Sequence, residues 1–297
     1  PLYAPYATSL RMSDLGYQND AQSDLIVCYN RLDSYIDTLG KAVSIPVERY
    51  DAIGLQTSDG VYKQLNSNLL QIENEYYSAV RPKRTTQREE KPIQALEARG
   101  VEYIEVRCLD LDPFSPVGVN EAQIDFLDLF LLDCLLSDSP RIGDEECERL
   151  DDNYKDVVAS GRYRELKLCR GGSRTPVADA ATDILAQLEP LAELLDSWRG
   201  DDTYRRALAA QRETLSGEWT VPSARVLDAM RFSGLGHREW GMEMAQQHQQ
   251  TLRQEGLDAS VRQAFEAMTA ESLAEQAQME RADTLPFSEF LEQYLRS

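Results

Sequence analysis

Apolar and polar positions alternate with a period of two over residues 100–108. That period sends Val101, Tyr103, Glu105 and Arg107 to one side and Glu102, Ile104, Val106 and Cys108 to the other. The alternation predicts a strand over 101–108, its second face mainly apolar and turned to a core, its first ending in an acid and a guanidinium. Glu105 and Arg107 so placed either serve chemistry or neutralise each other at the surface. The same period recurs before it, where Gln71, Glu73, Glu75 and Tyr77 share one face and Leu70, Ile72, Asn74 and Tyr76 the other. Strands at 67–77 and 101–108, joined by a loop over 78–99, imply an antiparallel or mixed sheet with an acid-rich face.

Elsewhere the apolar period lengthens to that of a helix. Leu25, Cys28, Tyr29, Leu32, Tyr35, Ile36 and Leu39 predict an amphipathic helix over about 20–42, and Pro46 and Gly54 bracket a shorter one over 46–53. Asn120, with Gln123 three residues on, caps a helix whose apolar run Ile124–Leu136 should lie buried under the sheet's apolar face. Asp125 and Asp128 within it could share a cation, although their place near the helix start favours dipole compensation. Further helices are expected over 144–160, 177–199, 201–215, 222–233, 238–255, 259–282 and 286–296, separated by glycine-containing turns. The 170–174 segment, Arg-Gly-Gly-Ser-Arg, lacks the spacing and lysine of a P-loop and reads as a plain connection.

Charge narrows the partners. The 297 residues hold 31 basic and 51 acidic side chains, a net charge of −20, which argues against nucleic acid and anionic membrane. Positive charge gathers at Arg81, Lys83, Arg84, Arg88 and Lys91 within the 78–99 loop, as a lid over phosphates or a solvated flexible loop. The five cysteines are scattered without a C-x-x-C pair, suggesting neither a disulfide framework nor a zinc site and fitting a reduced cytoplasmic setting. His237 and His248 lie about 16 Å apart along one helix and cannot share a metal ion. The apolar run at 124–136 is too short to span a bilayer. The opening segment through Tyr17 is a loop rich in Tyr, Ser and Arg, a composition suited to binding or to ordinary packing. Beginning at Pro1, the sequence reads as the downstream portion of something longer.

Four stretches together resemble a known family. They are Tyr6-Ala-Thr-Ser-Leu-Arg11-x-Ser-Asp-Leu-Gly-Tyr17, then Asn66-Ser-Asn-x-Leu-Gln-Ile-Glu-Asn-Glu-x-Tyr77 with Arg81-Pro-Lys-Arg84, then Glu102-Tyr-Ile-Glu105-Val-Arg107, then Asp112-x-Phe-Ser-Pro-x-Gly118. The chain resembles the C-terminal portion of the proteobacterial type of glutamate-cysteine ligase, densely in its first half and more weakly to Ala282-Asp-Thr-x-Pro-Phe287. The resemblance implies joining of the γ-carboxylate of L-glutamate to the amine of L-cysteine with ATP and Mg2+, the first step of glutathione synthesis. It implies an α+β fold: a partial glutamine-synthetase-like antiparallel sheet, with a large, mostly helical C-terminal part. Residues 1–120 would form the sheet region with the substrate, metal and phosphate motifs, and 121–297 the helical region packed on it. By the same carry-over Glu105 is a magnesium ligand, Arg107 faces the phosphate being transferred, and Arg11, Tyr17 and Tyr77 surround the cysteine substrate. The family's other acidic metal ligands lie upstream of these residues, so the expectation is half an active site, inactive alone and completed by an N-terminal segment. The alternative is a noncatalytic binding module of the same fold. A metal-dependent phosphotransferase would leave the Arg11 and Tyr17 motif unexplained.

Overall fold

The computed structural model describes residues 4–16, 25–87, 90–217 and 220–296. Strand β2 (Tyr103–Val106) forms inside the alternating stretch, and its antiparallel partner is β1 (Val80–Lys83), with Arg81 opposite Glu105 and Lys83 opposite Tyr103. The basic segment is therefore only partly loop: Arg84 and Lys91 lie outside any strand or helix, and Arg88 lies outside the described residues. Two of its cations sit on a strand, and helix α3 (Pro92–Arg99) follows with proline in its first turn and the Lys91 amide donating to Gln94 Oε1 at 3.1 Å.

Residues 67–77 are not a strand. Apart from one bridge between Pro46 and Asn68 they run irregularly into a 3-10 turn at Glu73–Glu75. Side chains take the place of a ladder: Gln71 accepts from the Leu65 amide at 2.6 Å, Glu75 accepts from the Gln71 amide at 2.7 Å, and Asn66 Nδ2 donates to the Gln71 carbonyl at 2.9 Å. Short amide and acid side chains that bond the nearby backbone in this way compete with sheet formation. Nor is the rear of β2 sealed, since Ile104 stays 47% exposed.

Helix α1 spans Leu32–Ala42; of the longer helix expected over 20–42, residues 25–31 are non-helical and 20–24 lie outside the described residues. Its Tyr35, Leu39 and Ala42 pack with Leu70, Tyr76 and Leu96 into one core. Helix α2 is a single turn, Glu48–Asp51. The stretch before α1 is fastened to the head of α5 (Asp144–Ser160) by a Cys28–Cys147 disulfide, a pairing the scattered cysteine spacing did not suggest. Beside it Asn30 Nδ2 donates to the Ile142 carbonyl at 2.8 Å and Asn30 Oδ1 accepts the Ile142 amide at 3.0 Å.

Helix α4 (Glu121–Leu136) carries the expected cap, Asn120 accepting the Gln123 amide at 3.0 Å. Its partners are α6 (Val177–Arg199) and α7 (Thr203–Ser216), not the sheet: Leu129 is buried among Leu185, Leu188, Ala192, Tyr204 and Leu208. Leu135 at the far end is 78% exposed. Asp128 accepts from the Tyr204 hydroxyl at 2.7 Å, so a tyrosine rather than a cation engages it. The Gly171-Gly172 pair turns a small hairpin of β3 (Lys167–Arg170) and β4 (Ser173–Pro176), both glycines at positive φ as tight hairpin turns require. Helices α8 (Pro222–Ser233), α9 (His237–Glu255), α10 (Ala259–Ala282) and α11 (Phe287–Arg296) follow near their expected bounds. Helix α11 returns to the first part of the chain, Leu291 buried, Phe287 edge-on to Tyr62 at 5.5 Å and the Tyr294 ring 5.0 Å from Lys91 Nζ. The described residues are thus α+β and mostly helical, with small antiparallel sheets. None of their helices is long and apolar enough to cross a membrane.

Candidate functional site

Residues paired across an antiparallel ribbon point to the same side, so one face of β1–β2 carries Arg81, Lys83 and Glu105, with Arg107 two residues beyond on the same side. Three cations around one carboxylate, in a chain of net charge −20, make this face a local attractor of anions. Glu105 does not pair with Arg107; its ion-pair neighbour is Lys83, 3.8 Å from Oε2. That oxygen is buried and has no hydrogen-bond partner among the described residues. Arg107 stands over the Tyr77 ring at 5.6 Å. On the same face Arg81, only 7% exposed, lies by the Tyr76 ring at 6.0 Å and donates through Nη2 to the Asn74 carbonyl at 3.1 Å. Burial lowers the pKa of the Arg81 guanidinium and the Arg107 charge lowers it further, while burial pushes the Tyr35 and Tyr76 hydroxyls up.

The opening loop reaches this face through Asp110, just past β2. The Asp110 carboxylate accepts from the Ser9 hydroxyl, from the Leu10 amide at 2.7 Å and from the Arg11 amide at 3.1 Å. Arg11 then donates through Nε to the Arg107 carbonyl at 2.6 Å. The loop is tight: a Cβ on Gly16 would lie 2.1 Å from the Arg11 carbonyl oxygen, so only glycine fits. Its start is held by the end of α5, Thr8 donating to the Val157 carbonyl at 2.6 Å and Arg162 to the Pro5 carbonyl at 2.6 Å. Beyond Asp110 the Asp112–Gly118 turn docks on the last helices, Phe114 lying 3.8 Å under the Arg225 guanidinium and 5.8 Å from the Trp240 ring.

Of the residues singled out from sequence, Arg11, Tyr77, Glu105 and Arg107 meet at this face, and Tyr17 lies outside the described residues. Arg81 and Lys83 as members of the face, and Asp110 as the anchor, were missed. The two-residue spacing of Arg81 and Lys83 was the available signal for a strand carrying charge on one side. Among the described residues no three His, Cys, Asp or Glu side chains gather as a metal cluster. Glu105 Oε2, hard, buried and without a hydrogen-bond donor, suits a magnesium ion but is one donor of the six such an ion takes.

The glutamate-cysteine ligase family profile matches residues 1–157. The chain is 50% identical over 296 residues to glutamate–cysteine ligase of Azotobacter vinelandii and 49% identical over 299 to that of Hahella chejuensis, covering 100% and 98% of this chain and 56% of each relative. It thus spans about half the length of the curated relatives it matches. A crystal structure of glutamate–cysteine ligase from Francisella tularensis in complex with AMP superposes with a TM-score of 0.87 at 32% identity, over 98% of this chain and 57% of that one. A bifunctional glutathione synthetase from Pasteurella multocida shares the fold alone, with a TM-score of 0.56 at 19% identity over 84% of this chain and 27% of that one.

Proposed function

The chain belongs to the glutamate-cysteine ligase family, and from that premise we propose that it supplies part of the active site of an enzyme joining the γ-carboxylate of L-glutamate to the amine of L-cysteine at the expense of ATP. The supporting observation is the cationic face of β1–β2 around Glu105, tied through Arg107 to the Arg11 loop. A carboxylate resists attack by an amine until it is phosphorylated. In the proposed sequence a γ-carboxylate oxygen of glutamate attacks the terminal phosphorus of ATP and ADP leaves. The cysteine amine then attacks the resulting acyl phosphate at carbon, inorganic phosphate departs and the amine gives up a proton.

Bringing a triphosphate to a carboxylate concentrates negative charge, and Arg107 and Lys83, on one side of the ribbon, would offset it. Glu105 would hold magnesium through Oε2, the ion supplying further charge neutralisation when bound. Arg11 and Tyr77 would border the cysteine side, and Tyr17 would join them. The fold would be a portion of a glutamine-synthetase-like sheet and its helices, divided near residue 120, with upstream residues completing the metal site. The proposed compartment is the cytoplasm, where the Cys28–Cys147 pair would be subject to reduction.

The test is formation of γ-glutamylcysteine from glutamate, cysteine, ATP and magnesium, by the 297-residue chain alone and after mixing with, or fusion to, the upstream segment its relatives carry. Product only with the upstream residues is expected. Robust product from the chain alone would overturn the half-site reading, and no product in any form would overturn the ligase reading.

A further inference from the structure

Arg81 is a charged side chain in an unfavourable place. It is 7% exposed, yet no carboxylate among the described residues lies within ion-pair distance; Glu105, directly opposite, is engaged by Lys83. One nitrogen, Nη2, has the Asn74 carbonyl, while the buried Nε has no hydrogen-bond partner among the described residues. Burying a guanidinium without a direct ion pair is costly even with the Glu105 charge and the Tyr76 ring nearby, and apolar side chains of similar size would fill the space beside Tyr76.

We infer that Arg81 is a positioning residue for Arg107, a fixed, buried positive charge on the same ribbon face that keeps the Arg107 guanidinium turned away from it toward a phosphoryl group. The inference rests on the ligase reading and goes beyond the residues that reading assigns. Two observations carry it. Arg81 pairs with Glu105 across the ribbon, and the Arg107 amide donates to the Ala79 carbonyl at 2.8 Å, so Arg107 is the diagonal cross-strand neighbour of Arg81 on one face and their like charges oppose any folding of Arg107 toward Arg81. The bond from Nη2 to Asn74 also ties the Glu73–Glu75 turn to β1, and Tyr77, two residues past that turn, provides the ring over which Arg107 stands. Enclosed as it is, Nε cannot reach a substrate without rearrangement, so the residue acts through its neighbour and through the long reach of its charge.

The experiment compares Arg81→Met and Arg81→Lys in the full-length enzyme. Arg81→Met should raise the KM for ATP at least ~10-fold and lower kcat, with the KM for glutamate nearly unchanged, whereas Arg81→Lys, which keeps the charge, should recover most of the loss. Thermal melting of each variant is measured alongside. Wild-type kinetics in Arg81→Met would overturn the inference, as would equal losses in both variants through lower melting temperature and active fraction at unchanged KM, the pattern of a purely structural residue. An inactive wild-type enzyme would instead defeat the ligase reading. Calorimetric ATP binding then decides the matter for Arg81, where affinity in Arg81→Met equal to wild type overturns the inference and a loss recovered by Arg81→Lys supports it.

Discussion

Arg11 donates through Nε to the carbonyl oxygen of Arg107 at 2.6 Å, joining the opening loop to the ribbon at the residue proposed to face the transferred phosphate. The joint depends on Asp110, which gathers the Ser9 hydroxyl and the Leu10 and Arg11 amides on one carboxylate. Asp110→Ala would leave those donors without their acceptor, at a cost of about 1–3 kcal/mol to local stability. Hydrogen exchange should show the Leu10 and Arg11 amides losing protection while the α7 amides keep theirs. Unchanged protection at Leu10 and Arg11 would refute the anchor.

Arg107→Lys keeps a positive charge but loses the planar fork that grips two phosphate oxygens. Its stacking over Tyr77 is weakened as well. Turnover at saturating ATP should fall more than ~10-fold in the full-length enzyme. An unaltered rate counts against the assignment.

Glu105→Gln preserves the shape of the side chain and removes its charge. The variant should stay folded, because the native carboxylate's ion pair with Lys83 is long and half-exposed and contributes little. Activity should collapse at ordinary magnesium and return in part as magnesium is raised. A magnesium dependence identical to that of the native enzyme would remove Glu105 from the metal site.

Asp196 caps α7 from outside it, accepting from the Tyr204 amide at 2.9 Å, the Arg205 amide at 3.1 Å and Arg205 Nε at 3.0 Å. Burial alone would raise its pKa, but these donors outweigh burial and hold it below the usual carboxylate value. A lowered folded value means that the stabilisation is fully present above the ordinary carboxylate range and is lost as pH falls through the folded pKa. Asp196→Ala should cost about 1–3 kcal/mol near neutrality in denaturant titration, with the gap to wild type narrowing in acid. A gap that held constant down to strongly acidic pH would contradict this account.

The Cys28–Cys147 bridge closes a loop with a sequence separation of 119. Cys28→Ser should lower stability by up to about 5 kcal/mol under oxidising conditions, on chain-entropy grounds. With dithiothreitol present the variant and the native chain should unfold together. A difference that survived reduction would assign the effect to packing at residue 28 instead.

Long helices with a single apolar stripe were legible from their spacing, and so was β2, because period-two alternation over 101–108 had no local competitor. The 67–77 segment has the same alternation and fails as a strand, since Asn66, Gln71 and Glu75 satisfy the backbone from their own side chains. The partner of β2 was hidden because Val80–Lys83 contains a proline and two cations, a composition that reads as loop. The destination of α4 was misjudged for another reason: an apolar run announces burial without naming what buries it, and α6 and α7 lie later in the chain. Glu105 and Arg107 stand out from the alternation and again, with Arg11, from the motif resemblance, whereas the burial of Arg81 and the contacts of Asp110 depend on segments far apart in sequence.

The return of α11 to Tyr62 and Lys91 sets a timetable for synthesis on the ribosome. More than two hundred residues separate Tyr62 from Phe287, so at ordinary translation speeds the segment around Tyr62 waits on the order of tens of seconds before its last cover emerges. Throughout that interval the surface around Tyr62 and Lys91 that α11 later covers lies open, and a nascent chain arrested before Phe287 would present it to any chaperone at hand.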